Sequence, residues 1–160
     1  MSIQACYHEA GHALIARSMG RPVKLIAVSP DGGITQTTEP LAGDKTAAEL
    51  EKALTIILAG EAAAGYAPAG PSPDAVAAAD PYGGIGIVPE HGADSGPDDD
   101  QVVDVYRQRL GDETVERCRE LAVELVGRER DLGQLGRVAD ALYLRGLLDA
   151  QDLEEILAAP

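Results

Sequence analysis

His8-Glu9-Ala10-Gly11-His12 is the stretch of this chain whose residue types and spacing could do chemistry. It fits the pattern H-E-x-x-H. On a helix, positions i and i+4 lie one above the other on one face, so both imidazoles can reach a single metal ion. Zinc accepts neutral imidazole nitrogen and, in catalytic sites, keeps one position for water. Glu9 would stand beside that water as general base, while the metal acidifies the water and polarises a scissile carbonyl. The competing reading is a surface helix with two solvated histidines. Ala10 and Gly11 argue against it, because they are small enough to let another backbone approach. So does Ala13-Leu14-Ile15-Ala16, an apolar run suited to burial.

A zinc site of this kind needs a third protein ligand. Asp94, Asp98, Asp99, Asp100, Asp104, Glu90 and His91 are the candidates, and spacing alone does not choose among them. A structural zinc site, the least favoured reading, would call for four ligands, usually with cysteine. Cys6 lies two residues before His8 and so points to another side of the helix. It reads as a small buried apolar residue.

The elements that must position these side chains follow from the same sequence. A first helix is expected over Ile3–Ser18, with Ser2 as N-cap, Gly20 closing the C-terminal end and Pro22 preventing continuation. Val23–Val28 reads as a strand, 29–33 as a turn, and Ile34–Thr38 as a second short strand. Leu50, Leu54, Ile57 and Leu58 follow helical spacing within a second helix over about 45–65. The segment 66–99 is rich in Pro, Gly, Ala and Asp and reads as a long loop, with a short strand over Ile85–Val88. Four helices then follow, near 100–110, 113–128, 132–145 and 150–157. Asp112 and Asp149 are the expected N-caps, and Val115, Cys118, Ala122 and Leu125 the apolar face of the second of the four.

Composition bounds the answer. The chain has 160 residues, enough for one domain with its own core, and no Trp or Phe, so Ala, Leu, Val, Ile and a few Tyr must build it. Strong helix formers dominate. The expected fold is mainly α, of the α+β kind, as a single domain over 1–160. A net charge of −14 and the absence of any Lys/Arg run exclude nucleic acid and anionic membrane as partners. Two isolated cysteines and the lack of a signal peptide fit a reducing, cytoplasmic setting.

Tyr7-His8-Glu9-Ala10-Gly11-His12-Ala13-Leu14 resembles the start of the peptidase domain of the FtsH family of AAA+ metalloproteases. The resemblance continues in Pro22–Pro30, which is similar to the family's strand ending in a Pro-containing turn. Leu58-Ala59-Gly60-Glu61-Ala62-Ala63 resembles its L-A-G-R-A-A helix, with Glu61 in place of Arg. Gly96-Pro97-Asp98-Asp99-Asp100 resembles its G-A-S-N-D, and Leu148–Leu157 its closing helix. The resemblance implies a helical, zincin-like metallopeptidase domain with a small sheet beside the active-site helix. It implies Zn(2+) held by His8, His12 and Asp100, with Glu9 as the base. Asp98 and Asp99 adjoin Asp100, which leaves the register open by one or two residues. Asp100 falls in the first turn of an expected helix, where the dipole favours a carboxylate; Asp104, one turn on, reads as a solvated acid.

The resemblance also implies that an edge strand over Ile34, Thr35, Gln36 and Thr37 binds substrate by strand addition. The chain shows no counterpart of the family's ATPase module or membrane anchor, so the expectation is a stand-alone zinc metalloendopeptidase acting on peptides or unfolded proteins. The alternative is a non-catalytic or regulatory binding module that works with a partner protein, such as an ATPase supplied in trans. Family members form ring hexamers, but the oligomeric state of this chain stays open.

Overall fold

Ala13, Leu14, Ile15 and Ala16 are four successive residues of the first helix, α1 (Ile3–Ser18), and all four are buried. A helix buried on every side must be surrounded by other elements. The computed structural model describes residues 2–38, 46–69 and 99–159. Among them β1 (Val23–Ser29), β2 (Gly32–Thr37), α2 (Ala47–Ala64), α3 (Asp99–Leu110), α4 (Asp112–Asp131), α5 (Gln134–Arg145), β3 (Leu147–Asp149) and α6 (Ala150–Ala158) follow α1 in order. The architecture is mainly helical with one small sheet, as composition leads one to expect. Helix α1 packs most extensively on α2, then on α5, with the sheet and α4 completing its surroundings.

Local chemistry explains the boundaries. Gly20 takes φ +76°, and the backbone N–H of Arg21 returns to Ala16 O at 2.8 Å, which closes α1 with a left-handed residue that only glycine adopts at little cost. Ser2 occupies the N-cap position, though its side chain makes no capping bond. Helix α2 opens on a capping box: Thr46 Oγ1 accepts from the Glu49 amide at 3.3 Å, and Glu49 Oε2 accepts from the Thr46 amide at 2.8 Å. Asp149 caps α6 in the same reciprocal way with Asp152.

Three expectations shift. The N-cap of α4 is Gly111, at φ +84°, and Asp112 lies inside the first turn. A single residue links α3 to α4, and the positive φ this tight link requires selects glycine over aspartate. The apolar face of α4 is completed by Val126, with Leu125 only partly buried. Strand β3 was not anticipated. Gly146 stops α5 at φ +73°, and the chain turns back to pair Leu148 with Ile26 and Leu147 with Ala27. The expected strand over Ile85–Val88 and the loop beyond residue 69 lie outside the described residues.

The sheet is antiparallel with order β2-β1-β3, so β2 is an edge. Pairing of β1 with β2 sets Ile26 opposite Thr35 and Val28 opposite Gly33, with a register irregularity between Val23 and Leu25. That bulge explains why Val23, Ile26 and Val28 are the buried residues of β1 where strict alternation would bury one face throughout. The core is built from side chains such as Ile15, Ile26, Leu54, Ile56, Leu135, Leu142 and Leu148, all fully buried. No helix among the described residues is long and apolar enough to cross a membrane.

Small residues set the α1–α2 distance. A Cβ at Gly11 would lie 2.6 Å from Ala59 O and would overlap Ala63 Cβ. These are backbone and methyl atoms that cannot rotate away. Gly11→Ala should therefore lose stability by about 1–3 kcal/mol despite the better helix propensity of Ala, read as a lower urea midpoint with unchanged m. Cys6 is fully buried, and burial pushes its thiol up to about 11. Cys118 is also buried, and its thiol is raised for the same first reason. Both should resist iodoacetamide at pH 8 in the native protein and label readily in denaturant; rapid native labelling of Cys6 would contradict this packing.

Candidate metal centre

Two imidazoles one helical turn apart need something behind them to fix their direction. For His12 it is the main chain of α2: Nδ1 lies 2.8 Å from Ile56 O. A carbonyl can only accept, so the proton of neutral His12 sits on Nδ1 and its Nε2 carries a lone pair. That Nε2 lies 2.9 Å from His8 Nε2, with the rings edge to face at 85° and centroids 4.5 Å apart. The room for both rings comes from Gly60 of α2. A Cβ there would overlap His12 Nε2 and Cε1, and would stand 2.7 Å from His8 Cε1.

The third member comes from the start of α3. Asp99 Oδ2 lies 3.0 Å from His8 Nε2 and 3.3 Å from His12 Nε2. Asp100, on which the resemblance places the third ligand, is the exposed neighbour, and it is Asp99 that the fold brings to the two histidines. The reason is rotation: one residue along a helix turns the side chain by roughly 100°, enough to exchange an inward for an outward direction. Asp104 is exposed and pairs with Arg107 at 2.5 Å, a solvated acid as expected. Asp94, Asp98, Glu90 and His91 lie outside the described residues.

The residues present fit a divalent metal. Asp99 Oδ2 is buried, yet it meets the directional requirements of no hydrogen bond. Its two imidazole neighbours stand close, and the three side chains offer one ligand atom each within reach of a single ion. A tetrahedral zinc with ligands at about 2.0–2.1 Å spaces them roughly 3.3 Å apart. The observed separations of 2.9, 3.0 and 3.3 Å are of that size. One proton on His8 could serve only one of these contacts; a cation serves all three. The electrostatics agree. Burial disfavours the Asp99 carboxylate, but its contacts with His12 and His8 outweigh that and hold the carboxyl far below its ordinary range. Burial likewise disfavours charged His12. The contact with Asp99, the charge of Glu9 and the Ile56 carbonyl outweigh it and raise this imidazole. Both shifts share one origin, the contact between the Asp99 carboxylate and the imidazoles.

Glu9 is buried, 5% exposed, between α1 and β2. Thr35 Oγ1 lies 2.8 Å from Glu9 Oε2 and 3.1 Å from the Glu9 carbonyl oxygen, positioned to donate to either. Gly33 of the same strand leaves room for the carboxylate: a Cβ there would come within 2.5 Å of Glu9 Cγ and Oε1. The four residues expected to bind substrate, Ile34, Thr35, Gln36 and Thr37, all belong to β2, with Ile34 and Gln36 exposed and Thr35 turned inward to Glu9. Gly33, Gly60 and the hydroxyl of Thr35 were not singled out from sequence. The signal available was limited to Gly60 falling inside the family-like Leu58–Ala63 stretch. Glu61, the departure from that pattern, is exposed and pairs with Arg119 at 3.0 Å.

Truncation distinguishes the two aspartates. Asp99→Ala should weaken zinc binding by more than about 100-fold, and Asp100→Ala should leave it within a few-fold, in competition with a chromophoric chelator. Equal losses would contradict the geometry. The chain matches no protein-family model and no curated protein. Support for the metal centre comes from the convergence of its three side chains and from the helix spacing that directs two of them.

Proposed function

We propose that this chain is a zinc metalloendopeptidase of the FtsH type, with a zincin-like site that hydrolyses peptide bonds of extended or unfolded polypeptides. The observation that carries this reading is the convergence of His8 Nε2, His12 Nε2 and Asp99 Oδ2 on one point, with Glu9 buried beside an edge strand. Zinc held by these three residues would supply Lewis acidity, lowering the pKa of a water and stabilising negative charge on a carbonyl oxygen.

The chain's own residues supply the rest. Glu9 Oε2 faces the Thr35 hydroxyl, which leaves Oε1 to take a proton from the attacking water. The same oxygen can then return the proton to the leaving nitrogen as the C–N bond breaks, so one carboxylate serves as base and then acid. His12 is held in its metal-ready tautomer by Ile56 O. Strand β2 has one side paired with β1 and the other unpaired among the described residues. An extended substrate can add to that free side through main-chain hydrogen bonds, which read backbone more than sequence. This favours unfolded segments over folded domains, and broad over narrow specificity.

Protein prepared without chelators should carry about one zinc per chain. Glu9→Gln should keep that zinc and lose casein hydrolysis by at least about 1,000-fold, since the amide cannot accept a proton. Wild-type protein and Glu9→Gln with equal activity in this assay would favour a binding module acting with a partner, in which the glutamate has no chemical task.

A further inference from the structure

Resting on the peptidase reading, we propose that Thr35 is a positioning residue for Glu9, and that β2 therefore holds the base as well as the substrate. The hydroxyl of Thr35 reaches both the carboxylate, at 2.8 Å, and the main-chain carbonyl of Glu9, at 3.1 Å. Its one proton goes to either acceptor, with the carboxylate the nearer, and either bond ties the strand to α1 at the residue that moves the proton. Threonine is β-branched and stiff at χ1, so the hydroxyl is held in place before substrate arrives. A hydrogen bond to a charged acceptor is stronger than one between neutral groups.

Gly33 acts in the same cradle by omission. Two residues before Thr35 on the strand, it lies on the same face, and a methyl group there would meet Glu9 Cγ and Oε1 at 2.5 Å. The carboxylate thus lies in a slot bounded by the Gly33 backbone and the Thr35 hydroxyl. Its rotamer is chosen by β2 and not by α1 alone. Ile34 and Gln36 alternate to the exposed face. A substrate added along the free edge of β2 through main-chain bonds needs none of the Thr35 side chain. Loss of the hydroxyl should therefore be felt in turnover and not in substrate affinity.

The test compares zinc-loaded wild type, Thr35→Val, Thr35→Ser and Gly33→Ala on a fluorogenic unfolded substrate, with zinc content measured for each. Valine keeps the shape and strand preference of threonine and removes only the hydroxyl. Thr35→Val should lower kcat about 10- to 100-fold with KM within about twofold and zinc stoichiometry unchanged. Thr35→Ser should recover most of that loss. Gly33→Ala should also lower kcat while retaining zinc, because the flexible end of Glu9 gives way to the methyl group. Crystal structures of wild type and Thr35→Val supply a readout independent of turnover: the Glu9 carboxylate should leave its wild-type position. Wild-type kcat in Thr35→Val, or a Glu9 carboxylate that does not move, overturns the proposal. If the wild-type protein cleaves nothing, the peptidase reading fails, and the two Glu9 positions still decide whether Thr35 holds this side chain.

Discussion

Three polar atoms drawn from two helices lie within 3.3 Å of one another at the edge of an apolar core, and protons cannot satisfy all of their contacts at once. That constraint organises much of the rest. His12 is held by an α2 carbonyl so that its free lone pair faces the other two groups. The Asp99 carboxyl is kept ionised in spite of burial, and His12 is raised in spite of it. Half-buried groups of this kind cost stability unless an opposite charge joins them. Here the contact between Asp99 and His12 supplies that opposite charge and outweighs the burial of both groups.

Side chains that are missing shape the centre as much as those present. Gly11 lets α1 and α2 approach until Ala59 O would lie 2.6 Å from an added Cβ. Gly60 then leaves on α2 the space that the two imidazoles fill, and Gly33 leaves on β2 the space that Glu9 fills. Each glycine belongs to a different element: Gly11 to the H-E-x-x-H helix itself, Gly60 and Gly33 to the helix and strand that face it. With neither Trp nor Phe in the chain, the layers can pack closely on small residues, and polar groups can sit near the core without large voids around them.

Strand β2 lies between the rest of the sheet and Glu9. Its outer edge pairs with no other strand among the described residues, while its inner face presents Gly33 and Thr35 to Glu9. A shift of the strand would be felt at Glu9 through the Thr35 contacts, and the pairing of β1 with both neighbours limits such a shift. The third strand, short as it is, thus stiffens the platform beneath the site.

The bounds of α1, the turn after it and the one-turn spacing of His8 and His12 were legible in the sequence because they are local. Helical periodicity, a glycine stop and an i, i+4 pair need no other part of the chain. The same holds for the capping aspartate of α6 and the general order of helices. Asp99 in place of Asp100 was not legible. Three consecutive aspartates carry the same chemistry, and only the rotation of α3 against α2 decides which one turns inward. Gly60, Gly33 and the Thr35 hydroxyl were equally hidden, since a glycine's purpose depends on what would strike its absent side chain. Strand β3 lacked a local signal because three residues are too few to set a period, and its pairing with β1 exists only once α5 has delivered it. The sequence by itself determined that His8 and His12 would lie one turn apart on a helix with Glu9 beside them. Tertiary packing decided which carboxylate meets the two histidines and what holds Glu9 in place, because both rest on contacts between residues far apart in the chain.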